Sequence, residues 1–173
     1  MWREVVELSR PKNVVLAAIT VPLGAHLALG GVWSFQSLGL VALQTTSAIC
    51  FIAAGNTFND ISDNAIDKVA KPHRPIPSER ITIASATKVA YAFTLLSALC
   101  MASAIPFTDQ PYPLIGIWSI AAILMYTYDA GPQTKRLGLT GNVSISLMVG
   151  AVIVYGASAV SLASTPIVLF AAG

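Results

Sequence analysis

The sequence predicts an all-α, multi-span bundle of transmembrane helices, and three observations lead there. Of 173 residues, 55% are apolar and only 10% charged, with a mean hydropathy of +0.70, whereas a soluble domain carries roughly 25% charged residues. Five apolar stretches reach the length of about 20 helical residues that crosses a bilayer. The basic residues also fall on alternate connections between those stretches, which is the pattern of a multi-pass protein. A soluble globular fold is excluded for want of a polar skin. Nucleic-acid binding is disfavoured by a net charge of +2 with no basic stripe or aromatic platform. Cys50 and Cys100 each lie inside an apolar run and read as small packing residues.

Arg3, Arg10 and Lys12 lead into the first span, Val14–Trp33. Its late small residues Ala28 and Gly30 resemble a signal-peptide cleavage site, but the run is longer than an h-region and a second span follows at once. The remaining spans are Leu38–Phe58, Ile81–Ile105, Tyr112–Tyr128 and Val143–Ala163. A sixth begins at Pro166 and is still apolar at Gly173, so the chain is expected to be part of a longer one. Lys68, Lys71, Arg74 and Arg80 follow the second span, and Lys135 and Arg136 follow the fourth. The opposite connections, Ser34–Ser37, Pro106–Pro111 and Ser164–Thr165, have no Lys or Arg. The positive-inside rule therefore places the N-terminus and the charged loops in the cytoplasm. Every acidic residue except Asp109 lies on that same face. Lys88, near the start of the third span, is expected to snorkel, and His26, near the far end of the first, to pack or sit at the interface.

The segment Gly55–Arg80, GNTFNDISDNAIDKVAKPHRPIPSER, carries the chemistry. Asn59, Asp63 and Asp67 are spaced four apart, so a helix continuing out of the second span would put them on one face, with Asp60 on its flank and Asn56 one turn earlier. Three carboxylates this close repel one another, and a helix terminus accounts for one at most. A hard cation between them accounts for all three, because Mg²⁺ takes oxygen ligands and keeps waters or substrate phosphates in its shell. The plainer alternative is a solvated helix end, against which stands the cost of carboxylates emerging directly from a span. Lys68, Lys71, His73 and Arg74 come next, among Pro72, Pro75 and Pro77, which stiffen the loop and keep it from becoming helix. Metal-binding acids followed by anion-binding cations suggest a diphosphate bridging the two. Lys68 and Lys71 serve equally as topology signals facing lipid head groups.

A second charged constellation is YTYDAGPQTKRLGLTGN, Tyr126–Asn142, where Tyr126, Tyr128, Lys135 and Arg136 offer donors and three glycines permit tight turns. Interfacial tyrosines are ordinarily anchors. At the N-terminus, Arg10-Pro11-Lys12-Asn13 precedes the first span and taken alone reads as a positive anchor with a proline stop.

Together these residues resemble a known family. Gly55-Asn56-x-x-Asn59-Asp60-x-x-Asp63-x-x-x-Asp67 with Arg74-Pro75-Ile76-Pro77-Ser78 looks like the first Asp-rich motif of the UbiA superfamily of intramembrane prenyltransferases. Arg10-Pro11-x-Asn13 is similar to the family's N-terminal signature, and Lys135 through Gly141-Asn142 to its tyrosine–lysine–GN segment. The resemblance implies nine helices around a lipid-accessible cavity. It also implies a second Asp-rich motif after the sixth helix, before which this chain stops, so residues 1–173 would be one membrane-embedded prenyltransferase domain cut short. Asn59, Asp60, Asp63 and Asp67 would hold Mg²⁺, and Asp60, Asp63 and Asp67 would serve catalysis. Arg74, Lys68, Lys135 and Arg10 would take the diphosphate, with Asn13, Asn56, Tyr126, Tyr128 and Arg136 as weaker substrate contacts.

Within the superfamily, VELSRPKNVVLAA and GNTFNDISDNAIDK look most like the branch that builds archaeal-type lipids, which moves a geranylgeranyl group from its diphosphate to a glycerol-phosphate ether lipid. Two departures leave the acceptor open to a chlorin or an aromatic ring. The Tyr128-Asp129-Ala130-Gly131-Pro132 stretch is somewhat like the YSAPP element of chlorophyll synthases, and His73 stands where an acidic or polar residue is more usual. An ion-coupled transporter is the rival from another class. It is disfavoured because the acids gather at one membrane face and no internal repeat is evident. A CDP-alcohol phosphotransferase would need a DGxxAR lead-in that the sequence lacks.

Overall fold

The computed structural model describes residues 2–129 and 133–160, and within these every regular element is helical. A short α1 (Trp2–Ser9) precedes α2 (Pro11–Ala28), α3 (Phe35–Ser62), a short α4 (Asn64–Ala70), α5 (Ile83–Ala104), α6 (Pro111–Asp129) and α7 (Leu139–Ser158). Single 3-10 turns at Ile105–Phe107 and Thr134–Arg136 link α5 to α6 and α6 to α7. Three of the helical stretches, Phe35–Ser62, Ile83–Phe107 and Leu139–Ser158, are long and apolar enough to cross a membrane. Many large apolar side chains of the bundle face outward, Ile19, Leu95, Ile120, Ile123 and Leu147 among them. In water such a surface would aggregate; in hydrocarbon it is the solvated face.

Three boundaries differ from the sequence expectation, two of them for reasons visible in the residues. The first span ends at Ala28 rather than Trp33, because Gly30 and Gly31 turn the chain out of the helix at φ 59° and 86°. Ser34 then caps α3 through a reciprocal pair of bonds with Ser37. The helix expected to run unbroken through Asp67 stops at Ser62 and restarts at Asn64. Ser62, Asp63 and Asn64 are all residues whose side chains compete for backbone groups, and Ser62 Oγ bonds back to the Asn59 carbonyl at 3.0 Å. The fifth span begins earlier than expected, at Leu139. Its expected end beyond Val160 and the sixth span from Pro166 lie outside the described residues.

α3 runs through the middle of the bundle, packed on α5 and α2, and α7 packs on α2 and α6. α2 and α7 approach backbone to backbone: a Cβ on Gly24 would overlap Ile153, and one on Gly156 would overlap Val21. Such small-residue crossings let helices associate where no hydrophobic effect drives them together. Around that crossing lie Ala17, Val21, Leu40, Ala48, Met101, Leu114 and Tyr155.

At the charged end a second small core forms from Leu8 of α1 with Ile76, Ile81 and Ala86. Arg80 reinforces it with two bonds to Glu7, at 2.9 and 3.0 Å, and a third to the His73 carbonyl at 2.7 Å. The proline-rich loop is thereby fixed beneath α1, and its arginine is aimed at the end of α3.

Candidate active site

Arg10 forms the corner between α1 and α2, with a left-handed φ of 51°. Pro11 excludes the ordinary helical conformation for the residue before it, and the resulting corner swings the guanidinium over the end of α3. There it donates to Asn59 Oδ1 at 3.0 Å and pairs with Asp60. The corner is secured by two asparagines: Asn56 Nδ2 donates to the Ser9 carbonyl at 2.8 Å, one of the carbonyls α1 leaves unsatisfied at its end. Asn13 Nδ2 in turn donates to Asn56 Oδ1 at 3.2 Å.

Arg74, set between Pro72 and the buried Pro75, reaches the same carboxylates from the loop side. Its Nη1 lies 3.0 Å from Asp60 Oδ1 and 2.6 Å from Asp67 Oδ2. Lys71 Nζ stands 3.8 Å from the other Asp67 oxygen. Lys135, on the turn before α7, lies 2.8 Å from Asp63 Oδ1, 3.1 Å from Asp129 Oδ1 and 2.6 Å from Ser62 Oγ. The turn holds this position because Gly141 has no side chain: a Cβ there would meet the Thr134 carbonyl and Lys135 Cα, each at 2.9 Å.

Asp129 is the residue that sequence reasoning missed. It closes α6 just beyond the apolar run ending at Tyr128, is 4% exposed, and accepts from Asn59 Nδ2 at 3.1 Å. Asn59 Nδ2 also donates to Asp63 Oδ2 at 3.2 Å, so both its hydrogens are engaged and its carbonyl is turned toward Arg10. Burial pushes the Asp129 carboxyl above its ordinary value, against the opposing pull of Asn59 and Lys135. One signal could have found it: an acid at the very end of a span, the same reason that singled out Asp60, Asp63 and Asp67.

Four carboxylates and four cations thus form one connected, half-buried network. The repulsion expected among the acids is relieved by Arg10, Arg74, Lys71 and Lys135 standing between them. Among the described residues no three His, Cys, Asp or Glu side chains stand close enough to enclose an ion. The donor set, an amide carbonyl and carboxylate oxygens, has the chemistry a hard divalent cation takes. Lys68, Tyr126 and Arg136 are exposed and make none of these contacts. His73 contributes only its carbonyl, to Arg80.

The network caps a cavity of about 600 Å³ between α2, α3, α6 and α7, within the size range of small-ligand sites. Its mouth carries Arg10, Asn13, Asn56, Asn59, Tyr128 and Asp129, and its walls are apolar. The fold and this site define the class: an integral membrane helical bundle with an apolar slot leading to a charged cluster at one membrane face.

The chain belongs to the UbiA prenyltransferase family, whose model matches residues 17–173. It is 34% identical over 152 residues to a digeranylgeranylglyceryl phosphate synthase of Pyrococcus abyssi, covering 88% of this chain and 51% of the relative. The chain therefore spans about half the length of that curated relative. A solved structure of digeranylgeranylglyceryl phosphate synthase superposes with a TM-score of 0.83 at 25% identity, covering 98% of this chain and 57% of the other. A UbiA homolog from Archaeoglobus fulgidus bound to GPP and Mg²⁺ shares the fold, with a TM-score of 0.74 at 20% identity over 96% of this chain and 57% of that one.

Proposed function

We propose that this chain forms the first-motif half of a Mg²⁺-dependent prenyltransferase that moves a geranylgeranyl group from its diphosphate to a glycerol-phosphate ether lipid. The observation that carries this reading is the junction of an apolar slot with a charged network at its mouth. A molecule with a long hydrocarbon tail and a diphosphate head matches both parts. The resemblance to digeranylgeranylglyceryl phosphate synthases supports the glycerol-phosphate acceptor, and the basic connections support a cytoplasmic position for the charged face.

In the reaction, C1 of the allylic chain passes from the diphosphate oxygen to the acceptor hydroxyl oxygen, releasing diphosphate and a proton. Asn59, Asp63 and Asp67, with Asp60 beside them, would hold Mg²⁺, which when bound supplies positive charge to the diphosphate oxygens. That need follows from the site's own balance, since its carboxylates already match its cations and a diphosphate adds more negative charge. Arg10, Arg74 and Lys135 then turn from the carboxylates toward the leaving group and stabilise the charge that develops there, usually the largest catalytic contribution. The apolar walls exclude water from the allylic cation. Asn13, Asn56 and Asp129 act as positioning residues for Arg10, Asn59 and Lys135.

The test uses the complete gene product in lipid nanodiscs, with radiolabelled geranylgeranyl diphosphate, geranylgeranylglyceryl phosphate as acceptor, and either Mg²⁺ or EDTA. Labelled ether lipid that forms with Mg²⁺ and not with EDTA is the expected result. Diphosphate release without lipid product would move the acceptor to a chlorin or aromatic ring. Absence of any turnover would overturn the reading.

A further inference from the structure

α1 has three faces, and the rest of the bundle accounts for two of them. At about 100° per residue, Leu8 points into the core it shares with Ile76, Ile81 and Ala86. Arg3, Glu4 and Glu7 fill a polar arc on another side, where Glu7 is held by Arg80. The third face continues the apolar arc from Leu8 through Val5 to Trp2 and Val6, and it turns outward. Trp2 is 78% exposed and Val6 39%. An indole left this open is costly in water and favoured at the boundary of a membrane.

The depth of α1 follows from what it touches. The Ser9 carbonyl accepts from Asn56, which lies six residues before the last residue of α3, Ser62, about 9 Å along the helix axis. Leu8 meets Ala86, three residues past the start of α5 at Ile83. About 3 Å further along α5, Lys88 is exposed, and Tyr91 follows one turn later, also exposed. Exposed Lys and Tyr at the end of a span mark the head-group layer. α1 therefore lies alongside the last turns of the spans rather than beyond them, and its outward arc is level with the junction of acyl chains and head groups.

The charges at this level suit the same occupant. Arg3, beside the outward apolar arc, and Lys12, in the first turn of α2, are exposed, and neither joins an ion pair among the described residues. The exposed acid of α1, Glu7, is already paired with Arg80. What α1 offers outward is thus an indole, a valine and unpaired positive charge, the composition of a helix that lies in an anionic lipid surface.

We infer that α1 docks in the head-group layer of the bilayer, with Trp2 and Val6 in the acyl boundary and Arg3 and Lys12 on the phosphates of anionic lipid. The docking braces the charged network from outside. Arg10 is the next residue after α1, so whatever fixes the helix also fixes the corner from which its guanidinium reaches Asn59 and Asp60. Nothing in this docking depends on which reaction the network performs.

The test places the complete gene product in phosphatidylcholine nanodiscs that contain a minor share of lipid brominated near the head-group end of its chains. The brominated chains are carried on either phosphatidylglycerol or phosphatidylcholine. Trp2 fluorescence is taken as the difference between the parent and Trp2→Phe. Both brominated lipids should quench it, since an interfacial helix sits about 5–10 Å into the head-group–acyl boundary. Phosphatidylglycerol should occupy the site about fivefold more strongly than phosphatidylcholine, the equivalent of about 1 kcal/mol for a basic residue at an anionic surface. Arg3→Gln combined with Lys12→Gln should bring the two lipids to parity while the quenching itself persists. Trp2 quenched by aqueous acrylamide but not by brominated lipid would put α1 in the aqueous phase, and Trp2 shielded from both would put it beneath other parts of the protein. Either result would overturn the docking. Equal occupancy by the two lipids in the parent, or a preference that survives in the double variant, would overturn the anionic-lipid contact of Arg3 and Lys12.

Discussion

Arg74 of the proline-rich loop is ion-paired with Asp67 of α4, its Nη1 2.6 Å from Asp67 Oδ2. The same nitrogen lies 3.0 Å from Asp60, so one guanidinium joins the end of α3 to α4 across the helix break at Asp63. Both carboxylates are almost wholly buried. Removing the arginine leaves two buried charges short of a partner, whereas removing one carboxylate leaves Arg74 the other.

Arg74→Ala should therefore destabilise by about 1–3 kcal/mol, less than the cost of stranding a lone buried charge because Arg10 and Lys71 still face Asp60 and Asp67. Arg74→Lys should recover only part of this, because a point ammonium does not reproduce the planar fork. Thermal melts in detergent micelles measure both. Adding Asp67→Asn to Arg74→Ala should restore part of the lost stability; a double variant that melts lower still would show that the two residues act separately.

Asp63→Ala and Asp67→Ala should each lower metal-dependent turnover by at least about a hundredfold, on the scale of losing a principal transition-state charge contact. Asp109→Ala, in the exposed connection between α5 and α6, should change little. The comparison is made by initial rates at saturating Mg²⁺. Equal losses at all three positions would mean that the acids act through folding.

Arg10 separates a backbone effect from a side-chain effect. Its left-handed φ of 51° suits glycine better than any residue with a Cβ. Arg10→Gly should melt higher than Arg10→Ala by about 1 kcal/mol in equivalent stability, while both raise the KM for prenyl diphosphate alike. Identical melting would mean that the corner is not strained.

The Gly141→Ala methyl would press on the Thr134–Lys135 backbone and move the turn. Lys135 would leave Asp63 and Asp129, and activity should fall at least about tenfold, the loss of one positioned charge contact. Gly39, whose Cβ would meet nothing, is the control: Gly39→Ala should keep parental rates.

Much of this architecture is legible in the residues. Hydropathy and the placement of Lys and Arg mark the helices and the shared face, and the Asn59–Asp63–Asp67 spacing marks the acids. What escaped has a common cause. Asp129 became part of the site only because α6 folds back beside α3, bringing it to a residue seventy positions earlier. The ion pairs of Arg10 with Asp60 and of Lys135 with Asp63 are likewise long-range. Local spacing predicts which acids crowd one another but not which distant cation relieves them. The buried hydrogen bonds that join Ser47 to Ser97 and Tyr155, and Ser97 to Trp118, were invisible for the same reason, since each member alone is an ordinary residue of an apolar span. The break at Asp63 was visible in principle, in three successive poor helix formers, but the four-residue spacing argued for continuity.

In the proposed reaction Asn59, Asp60, Asp63 and Asp67 would join a divalent cation to a prenyl diphosphate while Arg10, Arg74 and Lys135 take the phosphate charge. Calorimetric titration of geranylgeranyl diphosphate into the complete gene product, with and without Mg²⁺, tests it most directly. Binding should require Mg²⁺ and disappear in the Asp63→Ala, Asp67→Ala double variant, which should remain folded by circular dichroism. Binding of equal strength without Mg²⁺, or undiminished in that variant, would contradict it.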